Sequence, residues 1–363
     1  MNSTRYRKIL FLTLLYFLLG GSSLAQQLDR SAAIAKAQTR IEKYMQQKQP
    51  PGFSFAVAKN GTFLWAEGFG LADIENRVAV TPATKFRVGS VSKPMTAAAL
   101  GILIEQGKLD INAPVQTYVK SFPKKRWPIS TRQIAGHIAG IRHYKNDEFL
   151  MAKSWPNVTE SLSIFDQDPL LFEPGTKYSY SSYGWNLVSA VIEGASGQEF
   201  LAFMQAHVFD PLGMTDTAPD LNDSLISFRT RFYHRSSNGT LKNAPYVDNS
   251  YKWAGGGFLA TPKDMVIFGE AHAKPGFLKK KTLALLITSL TLNDGSKTNY
   301  GLGWRSGKTP SGASWYGHSG GSVGGTAYLI IFPEQGIVAA MLANIGNAGF
   351  GTLPMELAAC FFE

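Results

Sequence analysis

A single cysteine, Cys360, stands in a chain of 363 residues. No internal disulfide can form, and no cysteine-built zinc cage or redox pair is available. Zinc fingers, thioredoxin-like motifs and cysteine-knot scaffolds are thereby excluded. Acidic residues are scarce beside basic ones, 26 against 36, for a net charge of +10. That balance fits weak attraction to anionic substrates or cell-envelope polymers. No aromatic–basic RNA-binding signature accompanies it, so nucleic acid is not an expected partner. The histidines form no H-E-x-x-H, and the closest pair, His137 and His143, shares no helix face. No metal site is expected from them. The glycines at 255–257 match no phosphate loop, and no cofactor is expected.

Long hydrophobic runs are missing too. The run Ile9–Leu19 has 11 residues with only Thr13 interrupting, short of the roughly 20 that a membrane span needs. Arg5, Arg7 and Lys8 precede it, and Ser23-Leu24-Ala25 follows with the small-x-small pattern of a cleavage site. This reads as a secretory signal cleaved after Ala25, which makes the expected location secreted or periplasmic. The remaining residues, 28–363, are long enough to build one core that needs no disulfides.

Periodicity divides that domain. A helix is predicted over 28–47, and two strands, 53–58 and 62–67, are joined through Asn60-Gly61, a strong hairpin signal. Helical patterns follow over 90–109, 185–194, 199–208 and 262–272; strands return at 327–332 and 336–342, before a closing helix over 351–362. The expected architecture is α/β of the α+β kind. An antiparallel sheet is built from about 28–88 and 286–363, with a helical part over about 89–285.

Ser90-Val91-Ser92-Lys93 opens the first of the central helices. Residues three apart share a helix face, which brings the Lys93 amine within reach of the Ser90 hydroxyl. A serine is a poor nucleophile until its proton is taken. A lysine can take it if burial and neighbouring positive charge lower its pKa. The tetrad alone is a weak signal. A second match, Ser121–Lys124, is broken by Pro123, and a plain helix cap at Ser90 with Lys93 in solvent has the same spelling.

The longer run Thr84–Thr96 resembles the nucleophile segment of the serine β-lactamase and penicillin-binding protein superfamily, in its class C-related, LACTB-like branch (peptidase family S12 type). Pro174–Ser182 is similar to that family's second motif, and Gly317-His318-Ser319-Gly320-Gly321 to its H-x-G form of Lys-Thr-Gly. Residues 129–144, 209–214 and 252–259 resemble further landmarks. The resemblance implies a β-lactamase/transpeptidase-like fold with an all-helical region. It implies Ser90 as nucleophile, and Lys93 with Tyr180 as the proton-handling pair. Lys93 is expected to supply the positive charge that a working Tyr180 needs. It also implies an oxyanion hole from the Ser90 and Gly321 N–H groups, and His318 as a donor toward the substrate. Ser182 departs from the Asn often found there, which in the family helps hold the substrate amide and the lysine.

The same glycine-rich run also satisfies G-x-S-x-G with Ser319 as a nucleophile elbow. That reading needs an acid and then a histidine downstream, and residues 320–363 contain neither His nor Asp. The expected function is an acyl-enzyme serine hydrolase acting on amide or ester bonds of a small-molecule or peptide substrate. A peptidase or esterase is favoured. The alternatives are a class C-like β-lactamase, or a penicillin-binding protein that acylates without turnover.

Overall fold

Asn60 and Gly61 take positive φ values of 52° and 86°, the conformation that a two-residue hairpin requires. They join strand β1 (Gly52–Lys59) to β2 (Thr62–Asp73). The computed structural model describes residues 27–362, and the secretory pattern at 1–25 lies outside them. Along the chain follow β3 (Val78–Ala79), β4 (Phe86–Arg87), β5 (Ala218–Pro219), β6 (Tyr233–Arg235), β7 (Leu241–Asn243) and β8 (Phe258–Ala260). The last four are β9 (Arg305–Lys308), β10 (Ser314–Ser322), β11 (Gly325–Phe332) and β12 (Ile337–Ala343).

Seven strands form one antiparallel sheet in the order β3-β2-β1-β12-β11-β10-β9. Its two halves, from opposite ends of the chain, meet where β1 pairs with β12, Phe53 opposite Ala343 through Lys59 opposite Ile337. All of β12 is buried, because both of its faces are covered. Ala339, Met341 and Ala343 join a core with Ile41 and Tyr44 of helix α1 (27–48) and with Leu357. Val338, Ala340 and Leu342 join a second, larger core with Met95 and Leu100. Side chains alternate across a strand, so a doubly covered strand reads as an unbroken apolar run.

The larger core belongs to helices α2 (Ser92–Glu105), α3 (Ser182–Ser196) and α4 (Pro262–Ala273). Helix α4 packs on β12, β1 and β11, while α2 packs on α3. The first ten residues of α2, from Ser92 to Gly101, are all buried. A short closing helix, α5 (Leu353–Ala359), lies near α1 on the other face.

The central segment is not purely helical. It carries β5 and β8, which form a three-stranded sheet with β4 in the order β4-β8-β5, and the hairpin β6–β7. These strands of two or three residues are too short to show a period-2 pattern. Among the described residues no helix is long and apolar enough to cross a membrane.

Candidate active site

The nucleophile candidate sits in a 3₁₀ turn, Gly89–Val91, between β4 and α2. Behind it the Arg87 side chain is buried. Its Nε lies 2.6 Å from Asp220 and its Nη1 donates to the Val323 carbonyl at 2.8 Å. The turn is pressed against β10. A side-chain carbon at Gly320 would stand 2.0 Å from the Val88 carbonyl oxygen and 3.1 Å from Ser90 N. One at Gly89, where φ is +49°, would stand 2.6 Å from the Gly321 oxygen. Only glycine allows so close an approach.

One turn along the helix, Lys93 is fully buried. Its Nζ lies 3.0 Å from Ser90 Oγ, 3.3 Å from Ser182 Oγ and 2.7 Å from the Gly255 carbonyl oxygen. No carboxylate is among these partners. Burial first, then the charges of Lys252 and Arg305, hold the amine well below the usual lysine range. A neutral amine has two N–H donors and one lone pair. The Gly255 carbonyl can only accept, so it takes one N–H, and Ser182 Oγ takes the other. The lone pair is left for the Ser90 hydroxyl proton.

Tyr180 arrives from the segment before α3, whose N-cap is Ser181. It lines the same cavity as Ser90, and its ring centroid lies 4.8 Å from Lys93 Nζ. The expectation that Lys93 supplies positive charge to it is corrected here. Burial dominates and pushes the phenol upward, although Ser90 and Arg305 act in the opposite direction. Tyr180 is therefore a phenol that keeps its proton, beside an amine that has lost one.

Ser90, Tyr180, Ser182 and Gly321 line one cavity of about 240 Å³ with Lys252, Gly255, Gly256 and the segment His143, Tyr144 and Phe149. Strand β9 pairs with β10 only over Ser314–Gly317. The stretch from His318 to Ser322 thus has an unpaired outer edge, and Gly321 on it forms part of the cavity wall. Ser319 is exposed and Gly320 is buried against the turn.

His318 requires a second correction. It does not line the cavity, and both of its ring nitrogens are engaged. Nδ1 lies 2.6 Å from the Ser319 carbonyl oxygen and Nε2 lies 2.9 Å from the Tyr300 hydroxyl. A carbonyl accepts only, so Nδ1 carries the proton and Nε2 accepts from Tyr300. The alternation of β10 turns this residue inward, like Gly320, to only 2% exposure. Burial holds it well below the usual histidine range, and the ring offers no donor to a substrate.

The cations near the site are ones that sequence reasoning did not assign. Lys252 is buried against the faces of Phe149 and Tyr251, 4.7 and 5.3 Å from their centroids. Burial first, and Arg87 second, push it down to about 7. Arg305, at the start of β9, stands 5.6 Å from the Tyr180 ring. The one available signal for Lys252 was its place at the head of the glycine-rich landmark 252–259. Nothing local marked Arg305. Among the described residues, no group of acidic, histidine or cysteine side chains could hold a metal ion.

The family model described as Beta-lactamase matches residues 37–355. The mitochondrial serine beta-lactamase-like protein LACTB of Homo sapiens is 29% identical, aligned over 90% of this chain and 79% of its own length. Penicillin-binding protein 4* of Bacillus subtilis is 25% identical over 85% of this chain and 71% of its own. A D-stereospecific amidohydrolase from Streptomyces shares the fold, with a TM-score of 0.77 at 22% identity over 90% of this chain and 98% of that one. A buried lysine one turn from a serine in the cleft of this fold, and a family match spanning most of the chain, lead to one statement: the chain belongs to the beta-lactamase family of serine hydrolases.

Proposed function

We propose that the protein hydrolyses amide or ester bonds of peptide-like substrates through an acyl-enzyme on Ser90, as a peptidase or esterase. The observation that carries the reading is the 3.0 Å contact between Ser90 Oγ and an amine kept neutral by burial. In the first step the Ser90 proton passes to the Lys93 lone pair as Oγ attacks the substrate carbonyl carbon. The new oxyanion is met by the Ser90 and Gly321 N–H groups. Its collapse expels the leaving group, which takes the proton of the Tyr180 phenol. The phenolate then recovers a proton from the Lys93 ammonium, and both groups return to their starting states. Water repeats the cycle on the acyl-enzyme, releasing a carboxylic acid and free Ser90.

Incubation with p-nitrophenyl acetate and with a chromogenic β-lactam tests the reading. Continuous nitrophenol release with little lactam turnover is the expected result. A single stoichiometric burst on both would mark a protein that acylates and stalls, and fast lactam turnover would mark a β-lactamase. Export is proposed on the pattern from Arg5 to Ala25. Cell fractionation with and without those residues tests it.

A further inference from the structure

The Ser182 hydroxyl oxygen is engaged by Lys93, from which it accepts at 3.3 Å. The site nevertheless contains an unspent neutral donor. The backbone N–H of Ser182 donates to His143 Nδ1 at 3.2 Å. A backbone N–H can only donate, so Nδ1 must keep its lone pair and the ring proton must sit on Nε2. His143 lines the Ser90 cavity. The residue as a whole is exposed, but its ring packs 4.4 Å from Tyr144 and edge-on to Tyr180 at 5.7 Å. Loss of water around the ring pushes its pKa down to about 4. The ring is therefore neutral at physiological pH. The other unassigned donor in the cavity, Lys252, is tucked against Phe149 and Tyr251 with only 2% exposure.

We propose that His143 is the substrate-holding donor of this site: its Nε2–H bonds a carbonyl oxygen in the acyl half of the substrate. The enzyme thereby takes acyl groups that carry a second carbonyl, such as N-acylated amino acids and peptides, ahead of simple acyl groups. This rests on the acyl-transfer reading above.

Two esters and three variants test it. p-Nitrophenyl acetate has only the scissile carbonyl; the p-nitrophenyl ester of N-acetylalanine, in the enantiomer the wild type prefers, has a second. His143→Asn keeps an acceptor for the Ser182 N–H but cannot reach the Nε2 position. His143→Phe removes both nitrogens and keeps the ring. His143→Gln places a donor further out. For His143→Asn, kcat/KM on the N-acetylalanine ester should fall about tenfold further than kcat/KM on the acetate, the worth of one net hydrogen bond. His143→Phe should show the same preference for acetate, and His143→Gln should recover part of the loss. Equal losses on both esters, or His143→Asn matching wild type on the N-acetylalanine ester, would overturn the assignment. Intact mass separates the two levels. A wild-type acetyl adduct alongside either overturning result defeats this inference and leaves acyl transfer standing. A wild type that forms no adduct defeats both.

Discussion

A lysine becomes a base here because of what surrounds one nitrogen. Lys93 Nζ has three uncharged partners and no carboxylate, and its nearest charges are positive. As pH falls through its lowered pKa the amine gains a proton and can no longer take one from Ser90, so acylation slows on the acid side. Lys252 helps to set where that happens. At pH below about 7 Lys252 carries its charge, and removing it makes Lys93 easier to protonate. Lys252→Met should therefore move the acid limb of the acylation profile to higher pH, and stopped-flow nitrophenol bursts between pH 4.5 and 8 would measure it. A limb that stays in place or moves lower would show that the two amines do not interact. Ser90 and Lys93 were legible because a three-residue separation shares a helix face and the run Thr84–Thr96 around them resembles the family's nucleophile segment; the spacing alone also spells a plain helix cap. Lys252 was not, because its effect depends on a contact between segments 159 positions apart.

At the level of elements, the site depends on how closely a strand meets a turn. Strand β10 runs so near the Gly89–Val91 turn that a methyl group at Gly320 would strike the Val88 backbone. Backbone cannot rotate out of the way as a long side chain can, so the strand or the turn must shift. Gly320→Ala should lower kcat/KM at least tenfold, through displaced oxyanion donors. It should also cost about 1–3 kcal/mol of stability, the usual price of overpacking. Steady-state kinetics together with urea unfolding would check both, and a variant that keeps full activity would contradict the close-approach account. The hairpin at Asn60-Gly61 and the strands β11 and β12 were legible because turn chemistry and short unbroken apolar runs are local. The side of β10 on which His318 falls was not. The motif names the residue, but the pairing of β9 and β10 and the position of Tyr300 decide where the ring points. The short strands β4, β5 and β8 pair across distant parts of the chain, so no local pattern announces their sheet.

For the whole molecule, histidine burial sets a direction for acid stability. His137 and His318 are held well below the usual histidine range, and His143 and His272 are pushed down to about 4, in every case chiefly by burial. In the unfolded chain these groups titrate near 6.5, so below that pH the unfolded state binds more protons than the native state. The stability these neutral rings contribute is complete above about 6.5 and is lost as pH falls toward 4. Three carboxyls raised by burial, Glu193, Asp264 and Glu270, act in the opposite direction. Tm should fall between pH 7 and 4.5, and His272→Leu should make that slope shallower. His272 suits the test because its ring packs against Phe268 and Trp304, away from the cavity. A Tm that is flat or rises toward acid pH would contradict this. The global fold was legible because the family resemblance spans most of the chain. The division into a sheet part and a helical part describes the large elements and misses the strands threaded through the middle.

The central claim is that Ser90 is acylated because a neutral Lys93 takes its proton. Quenched intact-mass measurement of the acetyl adduct formed from p-nitrophenyl acetate, with the modified peptide sequenced, tests it most directly. The account predicts an adduct on Ser90 in the wild type, none in Ser90→Ala, and formation at least a hundredfold slower in Lys93→Met, the scale expected for losing a general base. An adduct on another residue, or a Lys93→Met variant that acylates at the wild-type rate, would contradict it.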